Sequence, residues 1–186
     1  MTIEQLEQLP PPEGYKSEVV DGNVLMTPRR TVHWQLIRRI LWALDDRFGR
    51  HTNVLSEVPV RFPGPHSYCP AIAKLRDDAK TDSEGRWHPA DIEFVTEIIS
   101  TRSAQHAHGP KKAAYAKAKI PVYLVIDLNE GKCHAYTAPK DGDYTTATRV
   151  TFGTDVDLTQ TPLNLTLETA AFPRDGGPPR QRPPQR

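Results

Sequence analysis

Apolar side chains recur at helical spacing in one long stretch and fill several shorter, strand-like runs. Trp34, Ile37, Leu41, Leu44 and Phe48 lie three or four residues apart. This spacing predicts an amphipathic helix over 32–49 with those five side chains on its core face, ended by Gly49. On this reading Trp34 and Phe48 pack the core, while Arg38, Arg39, Asp45, Asp46 and Arg47 fill the other face. YKSEVV and NVLMT flank Asp21-Gly22 and predict a hairpin over 15–27. DIEFVTEII at 91–99 is the most apolar strand-like run, and its near-continuity predicts cover on both faces. Further strands are predicted at 53–62, where Pro59 marks a bulge or an edge, and at 68–75, 121–127 and 132–137. A last strand pair is predicted near 143–152 and 163–168. Two short helices complete the pattern. One spans the opening TIEQLEQL, with Thr2 as cap and PPPEG as stop; the other runs from Pro110 to Lys119, rich in alanine. Residues 76–90 read as a polar loop. The sum is an α/β or α+β domain over 1–170, followed by a Pro/Arg-rich tail over 171–186 that is expected to be disordered.

Composition narrows the class. The chain has 186 residues, enough for one core, and 24 basic against 23 acidic side chains, a formal charge of +1. It carries no strongly basic coat, though a local patch can still bind phosphates. From Pro173 onward, Arg174, Arg180, Arg182 and Arg186 stand against Asp175 alone, which reads first as a solvated tail. No apolar run is long enough to span a bilayer, and the polar, acidic start does not resemble a signal peptide, so a cytoplasmic setting is expected. Cys69 and Cys133 form no disulfide framework and read as small buried residues.

The chemistry that stands out is a carboxylate in the wrong solvent. Glu97 lies between Thr96 and Ile98 inside the most apolar strand. A buried carboxylate is costly unless it is paired, hydrogen-bonded or metal-bound. It is therefore either a functional group or a structural ion pair. Lys111 and Lys112 open the helix beyond that strand, with Tyr115 one turn later. Alone, a lysine pair at a helix start is usually solvated surface. Seven histidines are scattered, with none in an HExxH arrangement or at zinc-site spacing from a cysteine. His33 opens the long helix, where it could contact phosphate or cap. No glycine-rich phosphate loop, GxSxG elbow or dinucleotide fingerprint is present.

Several segments, in this order, resemble the Uma2 family: YKSEVVDGNVLM at 15–26, the helix from His33, YCPAIAKL at 68–75, GRWHPADIEFVTEIIS at 85–100 and KKAAYAKAKIPVYLVID at 111–127. That resemblance covers about residues 2–168. It implies the restriction-endonuclease-like fold of the PD-(D/E)xK superfamily, a mixed central sheet flanked by helices. In this family a proline-aspartate motif supplies one metal-binding carboxylate and a strand glutamate the next. The catalytic lysine sits on the following helix. Here Pro70 matches the proline, Glu97 the glutamate and Lys111 the lysine, with Tyr115 four residues beyond it. Ala71 stands where the aspartate belongs, and Ala107 where many relatives have another aspartate. Glu57 is a weaker acidic candidate for the metal. Lys112, His33 and Arg38 are candidates for substrate contact.

The resemblance implies hydrolysis of DNA phosphodiester bonds with Mg2+ or Mn2+. Ala71 offers no oxygen, so the metal is expected to bind weakly or not at all and the reaction to be impaired. The two alanines fit either a decayed family member or deliberate replacement of the two acids. The competing reading is a catalytically inactive nucleic-acid-binding or regulatory protein on the same fold. A third is a protein-interaction module. A homodimer would suit a nuclease that cuts both strands.

Overall fold

The computed structural model describes residues 3–100 and 103–174. The Thr2 cap and most of the Pro/Arg-rich tail fall outside them. Helix α1 (Ile3–Glu7) precedes the hairpin of strands β1 (Tyr15–Val20) and β2 (Asn23–Pro28). The two-residue loop of that hairpin, Asp21-Gly22, has positive φ at both positions (50° and 73°), as a tight turn between twisted strands requires. Helix α2 (Thr31–Phe48) follows and ends at Gly49 with φ 87°.

The next two predicted strands are each broken in two. The chain over 53–62 forms β3 (Val54–Leu55) and β4 (Val60–Phe62), separated by Glu57 at φ 53° and by Pro59. The chain over 66–75 forms β5 (His66–Tyr68) and β6 (Ile72–Leu75). The reason is a change of sheet. Strand β5 pairs with β1 and β4, whereas β6 pairs with β3 and with β7 (Ile92–Ile99). Pro70 has no N–H for a ladder, so the crossing falls at Cys69-Pro70-Ala71. The freed Cys69 N–H donates instead to the Glu18 carboxylate, at 2.7 Å.

After β7 the helical segment starts earlier than expected. It comprises α3 (Ala104–His106), a widened π-type turn over Ala107–Lys111 kinked at Gly109, and α4 (Lys112–Lys117). Pro110 thus lies inside the segment rather than opening it, and the widened turn accommodates its missing N–H. Strands β8 (Val122–Asp127), β9 (Lys132–Lys140) and β10 (Asp143–Thr151) complete the large sheet. Its order is β10-β9-β8-β7-β6-β3, with β7 and β8 parallel across the helical crossover. The expected partner of β10 near 163–168 pairs elsewhere: β11 (Val156–Asp157) and β12 (Thr166–Leu167) form a separate two-stranded sheet. The third sheet has the order β2-β1-β5-β4.

Strand β7 is covered on both sides, as its sequence predicts. Phe94 and Ile98 face Leu36, Ile37, Ile40 and Leu44 of α2. Val95 and Ile99 face a second core with Val20, Phe62, Tyr68 and Tyr115. The α2 stripe differs from the expected one in one respect. Trp34 is 55% exposed, because the buried ridge runs through Leu36, Ile40 and Leu44, and Trp34 lies some 80–160° around the helix from it. Phe48 and Leu41 do pack against the core. Cys69 and Cys133 are buried free thiols, whose ionisation burial pushes up to about 12. Among the described residues no helix is long and apolar enough to cross a membrane.

Candidate functional site

Alternation along β7 points Glu97 to the side of Val95 and Ile99, into the core beneath α4 and the small sheet. Its carboxylate is buried and engaged. Lys111 Nζ donates to Glu97 Oε1 at 2.8 Å, and the Tyr115 hydroxyl donates to the same oxygen at 2.7 Å. The widened turn before α4 delivers Lys111 to this position, and Tyr115 follows one helical turn later.

The other partner of Lys111 is Glu18, on β1. Lys111 Nζ donates to Glu18 Oε1 at 2.7 Å, and the Cys69 N–H donates to that same atom. Sequence reasoning missed Glu18, although the clue that singled out Glu97 was present: an acid directly before the apolar pair Val19-Val20. Lys16 completes the group. Its Nζ donates to the Cys69 carbonyl at 2.8 Å and its charge acts on Glu18. Burial alone would raise the Glu18 carboxyl, but Lys111, Lys16 and the Cys69 N–H outweigh it and hold the group below its ordinary range. For Lys111, burial would lower the ammonium, and the two carboxylates raise it well above the usual lysine range. Tyr115 is pushed far up, first by burial and then by Glu97, so it stays a proton donor.

Position 71 lies on the neighbouring strand end, with its side chain on the other face of the sheet from Glu97. Ile72 is opposite Thr96, and the Ala71 N–H also donates to the Thr96 carbonyl at 2.9 Å, so residue 71 stands at the end of the β6–β7 ladder. The Ala71 side chain is a buried methyl (4% exposed) that belongs to the apolar cluster under α2. The remaining candidates have other partners or settings. Glu57 pairs with Arg29 at 3.0 Å. Lys112 pairs with Asp143 at 2.7 Å and sits over the Tyr136 ring. Arg38 is on the outer face of α2. Ala107 is buried, and its carbonyl accepts from the Tyr123 hydroxyl at 3.0 Å. His33 lines a groove of roughly 460 Å³ with Tyr15, Arg30, Ser100 and Ser103. That groove opens three residues along the chain from both Glu18 and Glu97.

Magnesium prefers oxygen ligands in an octahedral shell and sits where negative charge is in excess. Here two carboxylates face two ammonium groups, so the site has no net charge to attract a divalent cation. The Oε1 atoms of both acids are already bonded to Lys111. Among the described residues no three His, Cys, Asp or Glu side chains converge as a metal site. The residues present therefore do not fit the divalent cation that the fold implies.

A family model named Uma2 and described as "Putative restriction endonuclease" matches residues 3–170. A crystal structure of "a putative nuclease" from Anabaena variabilis superposes with a TM-score of 0.70 at 17% sequence identity, covering 91% of this chain and 96% of the other. That likeness shows a shared fold. No curated protein matches the chain.

Proposed function

Because this chain belongs to the Uma2 family, with its restriction-endonuclease-like core, we propose that it binds nucleic acid without cutting it. The observation that carries this reading is Lys111, lodged between Glu18 and Glu97 with their side chains only 2–5% exposed. An ammonium neutralised by two carboxylates in a dry core is a structural lock. It has neither the open coordination position nor the solvent access that metal-assisted hydrolysis needs.

The groove beside the lock supports the binding half of the proposal. Tyr15 supplies an aromatic face, Ser100 and Ser103 supply hydroxyls, and Arg30 supplies charge, with His33 at the helix start. These groups suit a sugar-phosphate backbone, which is held by cations, hydroxyls and helix starts without reading sequence. Metal-dependent endonuclease activity is then a property of the fold that this chain has set aside through Ala71.

The test is a binding titration with fluorescently labelled duplex DNA, in chelator and in Mg2+, with the products run on a denaturing gel. The proposal expects saturable binding that weakens steeply with salt and is unchanged by Mg2+, with the duplex intact. Mg2+-dependent cleavage by this chain would refute its silent half. Absence of saturable binding at low salt would refute its binding half.

A further inference from the structure

The groove of roughly 460 Å³ beside the lock has two unlike walls. One comes from the β1–β2 hairpin and is apolar, with Tyr15, Leu25 and Met26. Leu25 packs against the second core, whereas Tyr15 and Met26 are 39% and 42% exposed, among the most exposed large apolar side chains of the described residues. The other wall is polar. Arg30 and His33 come from the cap and first turn of α2, Ser100 follows the end of β7, and Asn129 follows the end of β8. Strands β7 and β8 are parallel, so the groove lies outside their carboxyl ends, where open sheets with parallel strands take up ligands.

A sugar-phosphate backbone suits the polar wall, but it gives the exposed ring and thioether opposite nothing to stack on. A duplex turns only its phosphates and base edges outward, and the faces of its bases are hidden in the stack. An unpaired nucleotide presents both kinds of surface at once. Its base offers a π-face to an aromatic ring, and its phosphate and sugar meet cations and hydroxyls. The groove has the volume of a site that encloses one small organic molecule, and a single nucleotide is of that size. Asn129 is exposed, and its carboxamide can both donate to and accept from the edge of a base. Granted the nucleic-acid reading above, on which this rests, we propose that the strand bound here is single, with one unpaired base lying on Tyr15 against Met26 and its sugar-phosphate on the polar wall. A duplex reaches the polar wall alone and is held more weakly.

The test is a fluorescence-anisotropy titration of the full chain with one labelled oligonucleotide in three forms: a single strand, the duplex with its complement, and a single strand whose central positions are abasic. The single strand is run with deoxyribose and with ribose, and the tighter of the two names its source. The intact single strand should bind about tenfold or more tighter than the duplex. Tyr15→Ala should weaken it about fivefold or more, the loss of one stacked base, and shrink the preference over duplex accordingly. Tyr15→Phe keeps the ring and should keep the preference, with circular dichroism as the fold control for both variants. The abasic strand needs no change in the protein. It carries the same phosphates and should lose as much affinity for the native chain as the intact strand loses for Tyr15→Ala. A duplex bound as tightly as the single strand overturns the inference and leaves the binding reading in place. So does an abasic strand bound as tightly as the intact one. Absence of saturable binding by every form overturns both.

Discussion

Two buried lysines in this core have opposite settings. Lys74, on β6, is 2% exposed and donates to Glu93 at 2.6 Å and to the Leu75 carbonyl, with the Phe48 ring beneath its ammonium. Its acid partner is 31% exposed at the side chain, so water shares the load. Lys111 is equally buried, but both of its acid partners are buried too, and they come from strands far apart in the chain. The first arrangement is a lysine stem covering apolar surface with its charge near the rim. The second is a closed ionic group at the centre, where removal of any member strands the others. The contrast separates a lysine that packs from a lysine that holds a buried ionic group together.

The largest way to sharpen this contrast is to remove each ammonium. Lys111→Met leaves two buried carboxylates unpaired and should cost about 3–5 kcal/mol in chemical denaturation. Lys74→Met leaves one partly solvated acid and should cost about 1 kcal/mol or less. Equal losses would erase the distinction. Next is Ala71→Asp, which buries a further carboxylate at the end of the β6–β7 ladder. In chelator it should lower stability by about 2 kcal/mol, on the scale of an unsatisfied buried polar group. Mg2+ or Mn2+ should raise its thermal midpoint while leaving that of the native chain unmoved. Tyr115→Phe is smaller. It deletes one hydrogen bond to a charged oxygen of Glu97 and should cost about 1.5 kcal/mol, with no cavity.

The smallest and most gradual effect is pH. The folded pKa of Glu18 lies below its ordinary value of 4.5, so its contribution is complete above that pH and is lost as pH falls. His108 and His134 are lowered from 6.5, first by burial, and they too favour the folded state only above that value. The folded pKa of Lys111 lies above 10.5, so its contribution is complete below that pH and is lost well into alkali. Thermal midpoints should therefore be flat only from about neutrality to about pH 8, fall in acid beginning near 6.5, and fall in alkali from about pH 9, where the unfolded chain's cysteines ionise and the buried ones do not. A midpoint that rises on acidification would contradict these assignments.

The parts of this molecule legible in the sequence are those fixed by local pattern. Asp21-Gly22 announces its turn, the apolar run at 92–99 its doubly covered strand, and Glu97 its own anomaly. What escaped depends on distant partners. The breaks at 56–59 and 69–71 arise because the chain changes sheets, and local alternation does not encode which sheet a strand joins. Spacing alone places Trp34 in the core, although Leu36 and Ile40 define a ridge on the opposite side. Glu18 lies 79 positions from Glu97 and 93 from Lys111. Only the meeting of β1, β7 and the widened turn shows that the three form one group.

On the proposed function the chain keeps a nuclease fold but not its metal-dependent cutting, with Ala71 standing where the family's aspartate belongs. The most direct test incubates the native chain and its Ala71→Asp variant with supercoiled plasmid, in Mg2+, in Mn2+ and in chelator. The account predicts an intact plasmid with the native chain under every condition and metal-dependent nicking by the variant alone. Metal-dependent nicking by the native chain would contradict it.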